Sequence, residues 1–229
     1  MLKSGLAAGE VLPEVRLHYR TLGAPRKNAD GRVTNAVLIG HGTGGTGAQF
    51  TSRNFAGQLF GPGQPLDATQ FFIVLPDNVG HGGSSKPSDG LRATFPRYGY
   101  LDMVDLQHRL LVDGLGVNHA RLIMGTSMGG MHTWLWGQQY PRFMDALMPL
   151  ADADRVMESY IANYVKSNDA NDVLYWFESS RDYDPGPGLE RPYRRSRHTY
   201  PRRGVDGAPG ATAEGLSPGV WVAKDCDRG

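Results

Sequence analysis

The sequence predicts an α/β fold built around a mainly parallel sheet, because short strand-like segments alternate with helix-like segments along the chain. Two segments, 35–40 (NAVLIG) and 70–75 (QFFIVL), are continuous apolar runs bounded by Gly, Pro or Asp, as expected of strands that are covered on both faces. Between 101 and 115 the apolar residues recur with helical spacing, which predicts a helix that packs on the sheet.

The remaining elements are predicted from the strand-like and helix-like spacing of their apolar residues. They are a half-exposed strand at 14–21, strands at 121–124 and 146–150, a helix at 128–140 and a helix at 155–177. Within the helix at 128–140, Met131, Trp134 and Leu135 are expected to face inward.

The motif that carries the most chemical information is Gly125-Thr126-Ser127-Met128-Gly129, which follows a predicted strand and precedes a predicted helix. It fits G-x-S-x-G, a sharp turn that presents the serine hydroxyl at the edge of a sheet. Glycines two positions on either side remove side chains that would collide with neighbouring backbone. The sequence therefore predicts Ser127 as a nucleophile and the Met128 amide, at a helix start, as an oxyanion donor. A glycine-rich turn that merely contains a serine is the alternative.

A second glycine-rich segment, 41–47 (HGTGGTG), directly follows the strand predicted at 35–40. Beside a G-x-S-x-G serine, such a loop supplies a second oxyanion donor, because glycine lets the backbone approach a substrate carbonyl closely. We assign this donor to the amide of Thr43.

The same loop leaves a nucleotide-binding interpretation open, since Gly40, Gly42 and Gly45 fit the dinucleotide pattern G-x-G-x-x-G. That pattern requires an acidic residue at the end of the next strand. Asp67 precedes that strand instead of ending it. Asp77 ends the strand but lies too many residues after the glycines. We therefore expect no cofactor.

A serine nucleophile needs a base, and the sequence offers few candidates. His81 lies in the glycine-rich loop 76–85 (PDNVGHGGSS), where a histidine more often shapes the loop by hydrogen bonding. Downstream of Ser127 only His132 and His198 remain, and His198 is the candidate base. No H-x-H, H-E-x-x-H or C-x-x-C pattern occurs, so no metal site is expected.

These motifs resemble the homoserine O-acetyltransferase-like branch of the α/β-hydrolase superfamily. GEVLPEVRLHYRTLG, HGTGG, PDNVGHGGSSKPSDG, FPRYGYLDMVDLQHRLLVDGLGV and GTSMGGMHTWLWGQQYPRFMDALMPL follow one another in that family's order over 9–150. The segment 169–185 (DANDVLYWFESSRDYDP) also looks like the one that precedes the family's acid-bearing strand. The resemblance implies that Ser127 accepts the acyl group and that Thr43 and Met128 line the oxyanion hole.

The resemblance also implies features that this chain lacks. Members of the family carry a long helical lid, here reduced to the segment near 151–168, and a late Asp and His that have no counterpart after Pro185. We therefore expect an α/β-hydrolase-type domain over 1–184, with the lid largely missing and the late strands absent. The tail, 185–229, is rich in Gly, Pro and Arg and is expected to be irregular.

Composition limits the partners and the compartment. The formal net charge is +1 and no basic stripe occurs in the first 180 residues, so small-molecule chemistry is expected and nucleic-acid binding is not. Cys226 is the single cysteine, and no apolar stretch typical of a signal peptide or a membrane span occurs. We expect a cytoplasmic protein that does not bind membranes; assembly as a homodimer is left open.

The function predicted first is a serine hydrolase that acts on small carboxylic esters or acyl donors through an acyl-enzyme at Ser127. Acyl transfer to an alcohol such as homoserine is a closely related alternative. Because the family holds its amino-acid substrate in the lid, the reduced lid favours hydrolysis. A catalytically inactive relative that binds small acyl compounds is the alternative from another class.

Overall fold

The structure is a computed structural model that describes residues 12–150, 169–180, 183 and 217–224. Its strands are β1 (Glu14–Leu22), β2 (Ala36–Gly40), β3 (Phe72–Pro76), β4 (Leu122–Thr126), β5 (Leu147–Leu150) and β6 (Ser217–Lys224). Its α-helices are α1 (Ala56–Leu59), α2 (Tyr100–Arg109), α3 (Met128–Gln139) and α4 (Ala170–Glu178). A π-helical turn, Leu110–Gly114, extends α2, and short 3₁₀ turns cover Gly47–Thr51, Pro87–Asp89 and Arg92–Thr94.

The six strands form one sheet in the order β5-β4-β2-β3-β1-β6. The four consecutive strands β5, β4, β2 and β3 are parallel, whereas β1 runs antiparallel to both β3 and β6. The predicted α/β class with a mainly parallel sheet is confirmed. The carboxyl ends of β2, β3 and β4 lie along one edge of the sheet, so the three predicted loops meet there.

Both faces of the sheet are buried at β2 and β3, as the continuous apolar runs predict. In β2, Val37 and Ile39 pack with Phe50 and Phe60 on one face, while Leu38 packs with α2 and α3 on the other. Burying one such side chain stabilises the fold by about 1.5–3 kcal/mol. The strands that carry the site are therefore anchored in the core on both faces.

Helix α3 is almost wholly covered, and this corrects one prediction. Trp134 is 36% exposed, whereas Trp136 is fully buried and donates its Nε1 hydrogen to Gln107 Oε1 over 2.8 Å. Because α3 is apolar on nearly every side, helical spacing alone does not identify its innermost face. Leu135 is buried as predicted, and Met131 is half-buried.

The prediction of an irregular tail is wrong at Ser217–Lys224, where the chain forms β6. This strand pairs residue by residue with β1, from Thr21 with Ser217 to Glu14 with Lys224. The sequence Val-Trp-Val at 220–222 favours an extended chain, and the edge of β1 offers unpaired backbone groups that outweigh the local Pro and Gly signals. The rest of the tail lies outside the described residues.

Strand β6 lies beyond β1, at the edge of the sheet farthest from β5. In the described part of the chain no strand continues the sheet past β5. The reduced lid, 151–168, lies outside the described residues. So does most of the helix predicted at 155–177, of which α4 represents the end. No helix within the described ranges is long and apolar enough to cross a membrane.

Candidate active site

Ser127 stands at the junction of β4 and α3 in a backbone conformation that few residues adopt. Its φ is 51° and its ψ is −116°, and it is half-buried at the carboxyl edge of the sheet. A non-glycine residue in this region costs about 1–3 kcal/mol and persists only where the surrounding structure enforces it. The strained turn predicted from G-x-S-x-G is therefore present at Ser127.

The glycines of the motif allow the turn because they let three backbone segments touch. A β-carbon at Gly129 would lie 2.5 Å from the carbonyl carbon of Gly40, and one at Gly125 would lie 2.8 Å from Gly129 Cα. Cβ atoms do not approach backbone this closely. The serine turn is thus held directly against the end of β2.

The loop that follows β2 also contacts Ser127. A β-carbon on Gly42 would lie 3.3 Å from the Cβ of Ser127, so the bare glycine backbone borders the serine side chain. The Met128 amide is the first of α3 and has no carbonyl acceptor within its own helix. The structure thus brings Ser127, Met128 and the loop that carries Thr43 to one place, as predicted.

The orientation of the Thr43 amide is fixed through the preceding carbonyl. Gly42 O accepts hydrogen bonds from His41 Nδ1 over 2.9 Å and from the Gly45 amide over 2.9 Å. In a trans peptide the carbonyl and the next N–H point in opposite directions. With the Gly42 carbonyl held by these two donors, the Thr43 N–H is directed to the other side of that peptide.

His41 acts in this arrangement as a neutral, fully bonded ring. Its Nε2 accepts the Asn78 amide hydrogen over 3.0 Å, so the proton resides on Nδ1. Burial lowers the pKa of His41 below its ordinary value, and the Gly42 carbonyl and Asp77 oppose this effect only in part. Both nitrogens are engaged, so His41 has no free atom with which to take a proton from a hydroxyl.

A buried amide network lies beneath the serine turn. Gln107 of α2 donates to Asn78 Oδ1 over 2.5 Å and accepts the Trp136 indole hydrogen, which links the loop after β3 with α2 and α3. His132 of α3 lies 3.4 Å from Gln107 Nε2 through its Nδ1. Its Nε2 and the Asn78 Nδ2 atom have no partner in the described part of the chain. Sequence reasoning missed this network because its members are far apart along the chain.

The other two histidines considered as bases are also buried. His81 donates its Nδ1 hydrogen to the Val79 carbonyl over 3.1 Å and stacks on Trp176 with ring centroids 4.9 Å apart. Burial lowers its pKa well below 6.5, and the nearby His41 adds to this effect. Burial lowers the pKa of His132 to about 3. His198, the candidate base, lies outside the described residues.

Asp77 is a structural centre of the site that the sequence pattern did not single out. Its carboxylate accepts hydrogen bonds from the amides of Gly47 and Gly83 and contacts His18 Nδ1 at 2.8 Å and Arg20 at 3.3 Å. A carboxylate at the end of a central strand, followed by a glycine-rich loop, was the available signal. It fixes the two glycine-rich loops to each other and to β1.

Helix α4 closes over the loop that follows β3. Asp172 accepts hydrogen bonds from both the amide and the hydroxyl of Ser88, at 2.9 and 2.7 Å. Trp176 donates its indole hydrogen to the Gly80 carbonyl over 2.5 Å. These contacts fix the chain that follows the lid segment against the site. In the part of the chain that the structure describes, no cluster of three or more metal-ligating side chains occurs.

Comparisons with known proteins agree with the fold. A family profile described as "alpha/beta hydrolase fold" matches residues 35–200. A homoserine O-acetyltransferase of Chlorobaculum parvum is 35% identical in an alignment of length 209 that covers 85% of this chain and 56% of the relative. A probable acyltransferase of Methanothermobacter thermautotrophicus is 35% identical over 150 residues, covering 65% of this chain and 46% of the relative.

Among solved structures, an acetylester hydrolase from Corynebacterium glutamicum is similar to this chain with a TM-score of 0.55 and 28% identity. The similarity covers 64% of this chain and 41% of that one. The chain spans about half the length of the curated relatives it matches. On the profile match, the chain belongs to the α/β-hydrolase family, and it is similar to homoserine O-acetyltransferases.

Proposed function

We propose that the protein is a serine hydrolase of small carboxylic esters that works through an acyl-enzyme at Ser127. The hydroxyl oxygen attacks the ester carbonyl, the alcohol leaves with a proton, and water then releases the acid. The observation that carries the proposal is the strained turn at Ser127 beside the Gly42 backbone. A turn that costs about 1–3 kcal/mol is characteristic of functional sites.

Stabilisation of the tetrahedral intermediate is assigned to the amides of Thr43 and Met128. Met128 supplies the first amide of α3, and the Gly42 carbonyl is held so that the Thr43 amide faces away from it. Loss of one such donor lowers the rate by about 10²–10³. The acetylester hydrolase and the acyltransferases among the similar proteins carry names that denote acyl chemistry.

The base is assigned to His198 because each of the other six histidines is buried with a lowered pKa, paired with a carboxylate or stacked on another ring. His41, His81 and His132 are buried with lowered pKa values. His18 and His119 contact the carboxylates of Asp77 and Asp145, and His108 stacks on Tyr140. Without a base, the serine hydroxyl is a weak nucleophile at neutral pH.

Turnover of p-nitrophenyl acetate by the wild type, Ser127→Ala and His198→Gln tests the proposal. We expect Ser127→Ala to lower the rate by at least about 10³, and His198→Gln by about 10²–10⁴. Equal rates for the wild type and Ser127→Ala would contradict hydrolysis at this serine and favour an inactive relative. Equal rates for the wild type and His198→Gln would remove His198 as the base.

Acyl transfer to an alcohol is the second candidate, favoured by the 35% identity to the Chlorobaculum homoserine O-acetyltransferase. Incubation with acetyl-CoA, with and without homoserine, separates the two reactions by their products. Formation of O-acetylhomoserine faster than free acetate would establish transfer, whereas acetate as the main product in both incubations would establish hydrolysis.

A further inference from the structure

Gln49 lies just after the loop 41–47 and links this loop to the serine turn. Its Nε2 donates a hydrogen bond to the Thr126 hydroxyl oxygen over 3.2 Å, across 77 positions of the chain. Thr126 ends β4 and directly precedes Ser127. We propose that Gln49 is a positioning residue for the reaction: it sets the spacing between the Thr43 amide and the serine hydroxyl. This inference rests on the proposed function.

The other end of the Gln49 carboxamide lies against Gly45 in the loop. A β-carbon on Gly45 would collide with Gln49 Oε1 and displace the carboxamide. Gly45 does not have the positive φ that favours glycine, so its backbone conformation does not explain the missing side chain. The bare Cα instead makes room for Gln49 between the loop and β4.

The Thr126 hydroxyl lies beside the peptide that carries the proposed donor. A β-carbon on Gly42 would lie 3.9 Å from Thr126 Oγ1, and the carbonyl carbon of Gly42 is bonded to the Thr43 nitrogen. The Gly45 amide donates to the Gly42 carbonyl oxygen over 2.9 Å, which holds the two glycines to each other. The Gln49 side chain therefore contacts the donor loop at one end and the serine turn at the other.

The turn that carries Gln49 is itself held in place. The Gly47 amide, at the start of this 3₁₀ turn, donates to Asp77 Oδ1 over 2.8 Å. Phe50, the next residue after Gln49, is buried against the side chains of β2 and β3. The carboxamide thus projects from a fixed support, as a positioning group must.

A carboxamide suits this role because it forms hydrogen bonds without carrying a charge. Nε2 of Gln49 donates, Oε1 can accept, and neither atom titrates. A carboxylate in the same place would repel the negative charge that develops on the carbonyl oxygen of the substrate. Gln49 can therefore fix the geometry and leave stabilisation of the oxyanion to the two amides.

The first test compares Gln49→Leu with Gln64→Leu. Gln64 also bonds at both ends of its carboxamide, with the Gly61 amide over 2.6 Å and the Gly57 carbonyl over 2.8 Å, but it lies in the connection that leads to the amino end of β3. With p-nitrophenyl acetate, we expect Gln49→Leu to lower kcat about tenfold and to change KM by less than about twofold, since a misplacement of about 1 Å can cost about 10² in rate. Gln64→Leu should match the wild type in both constants.

A second pair of variants changes the partner of Gln49 and leaves the loop sequence intact. Thr126→Val has nearly the shape of threonine but lacks the hydroxyl, so it should lower kcat about as much as Gln49→Leu. Thr126→Ser keeps the hydroxyl and should retain the wild-type kcat. The double variant of Gln49→Leu and Thr126→Val should be no slower than either single variant, because the two changes break one contact. Additive losses would overturn the inference.

A trifluoromethyl ketone separates positioning from general damage. It forms a tetrahedral adduct with an active serine, and its Ki should rise about tenfold in Gln49→Leu and in Thr126→Val. Its Ki should stay at the wild-type value in Gln64→Leu and Thr126→Ser. An equal rise in Gln64→Leu would show that the effect is not specific to the contact and would overturn the inference.

The outcomes also distinguish this inference from the proposed function. If the wild type and Ser127→Ala are equally active, the proposed function fails, and the role of Gln49 fails with it. If the wild type depends on Ser127 while Gln49→Leu and Thr126→Val retain the wild-type kcat and Ki, only the role of Gln49 is overturned.

Discussion

Replacement of Ser127 by glycine is expected to stabilise the fold while it removes the proposed nucleophile. With φ at 51° and ψ at −116°, the serine backbone lies in a region that glycine occupies readily and other residues avoid. Alanine at this position keeps the β-carbon and therefore keeps the strain. The difference in stability between Ser127→Gly and Ser127→Ala isolates the strain, because the hydroxyl is absent from both.

The expected magnitude follows from two opposing terms. Relief of strain contributes about 1–3 kcal/mol, and the greater freedom of glycine in the unfolded chain removes about 0.5–1 kcal/mol. Ser127→Gly should therefore be more stable than Ser127→Ala by about 1 kcal/mol. For a chain of this length, such a difference raises the unfolding midpoint by about 2–4 °C.

Urea denaturation followed by circular dichroism measures both variants, and Ser52 provides the matched pair. Ser52 is exposed and has an ordinary φ of −64° and ψ of 151°, so its glycine variant should be less stable than its alanine variant by about 0.5–1 kcal/mol. If the Ser127 pair shows the same sign as the Ser52 pair, the serine turn is not strained in solution and the reasoning is refuted.

Three further changes test the surroundings of the turn. Gly129→Ala places a β-carbon 2.5 Å from the Gly40 carbonyl carbon. Measured by urea denaturation, the free energy of unfolding should fall by about 1–3 kcal/mol. An unchanged value would show that the two segments do not touch. Burial lowers the pKa of His132 to about 3, so below about pH 6.5 the unfolded chain binds a proton that the folded chain excludes. The free energy of unfolding should therefore fall as the pH is lowered from about 6.5 towards 3. His132→Gln should reduce the slope of the free energy of unfolding against pH by about 1.4 kcal/mol per pH unit. An equal slope in both proteins would contradict a neutral buried ring. Asp172→Ala leaves the two Ser88 donors without their acceptor and should speed limited proteolysis within α4 at least about tenfold, whereas unaltered cleavage would show that α4 does not depend on this contact.

The central elements were predictable because their signals are local. Alternation located β1, apolar runs located β2 and β3, and the predicted bounds differ from the structure by one or two residues. Strand β6 was missed because its Pro218 and Gly219 resemble the rest of the tail. Its extended form depends on pairing with β1, which lies about 200 residues earlier and leaves no local trace.

Local motifs likewise revealed only part of the candidate site. Strand order brought Ser127 beside the loop of His41, as the two glycine motifs predicted. The contacts that surround this pair involve Gln107 and Asp77, whose residue types are common and whose partners lie in other segments. His119 is 6% exposed and contacts Asp145 at 2.9 Å, a pairing across 26 positions that the sequence does not reveal.

Labelling with a fluorophosphonate probe, followed by peptide mass spectrometry, tests most directly whether the hydroxyl at the turn is activated. The account predicts rapid attachment confined to the peptide that contains Ser127, with none in Ser127→Ala. A folded wild-type protein that resists the probe, or that takes it up at another residue, would contradict the account.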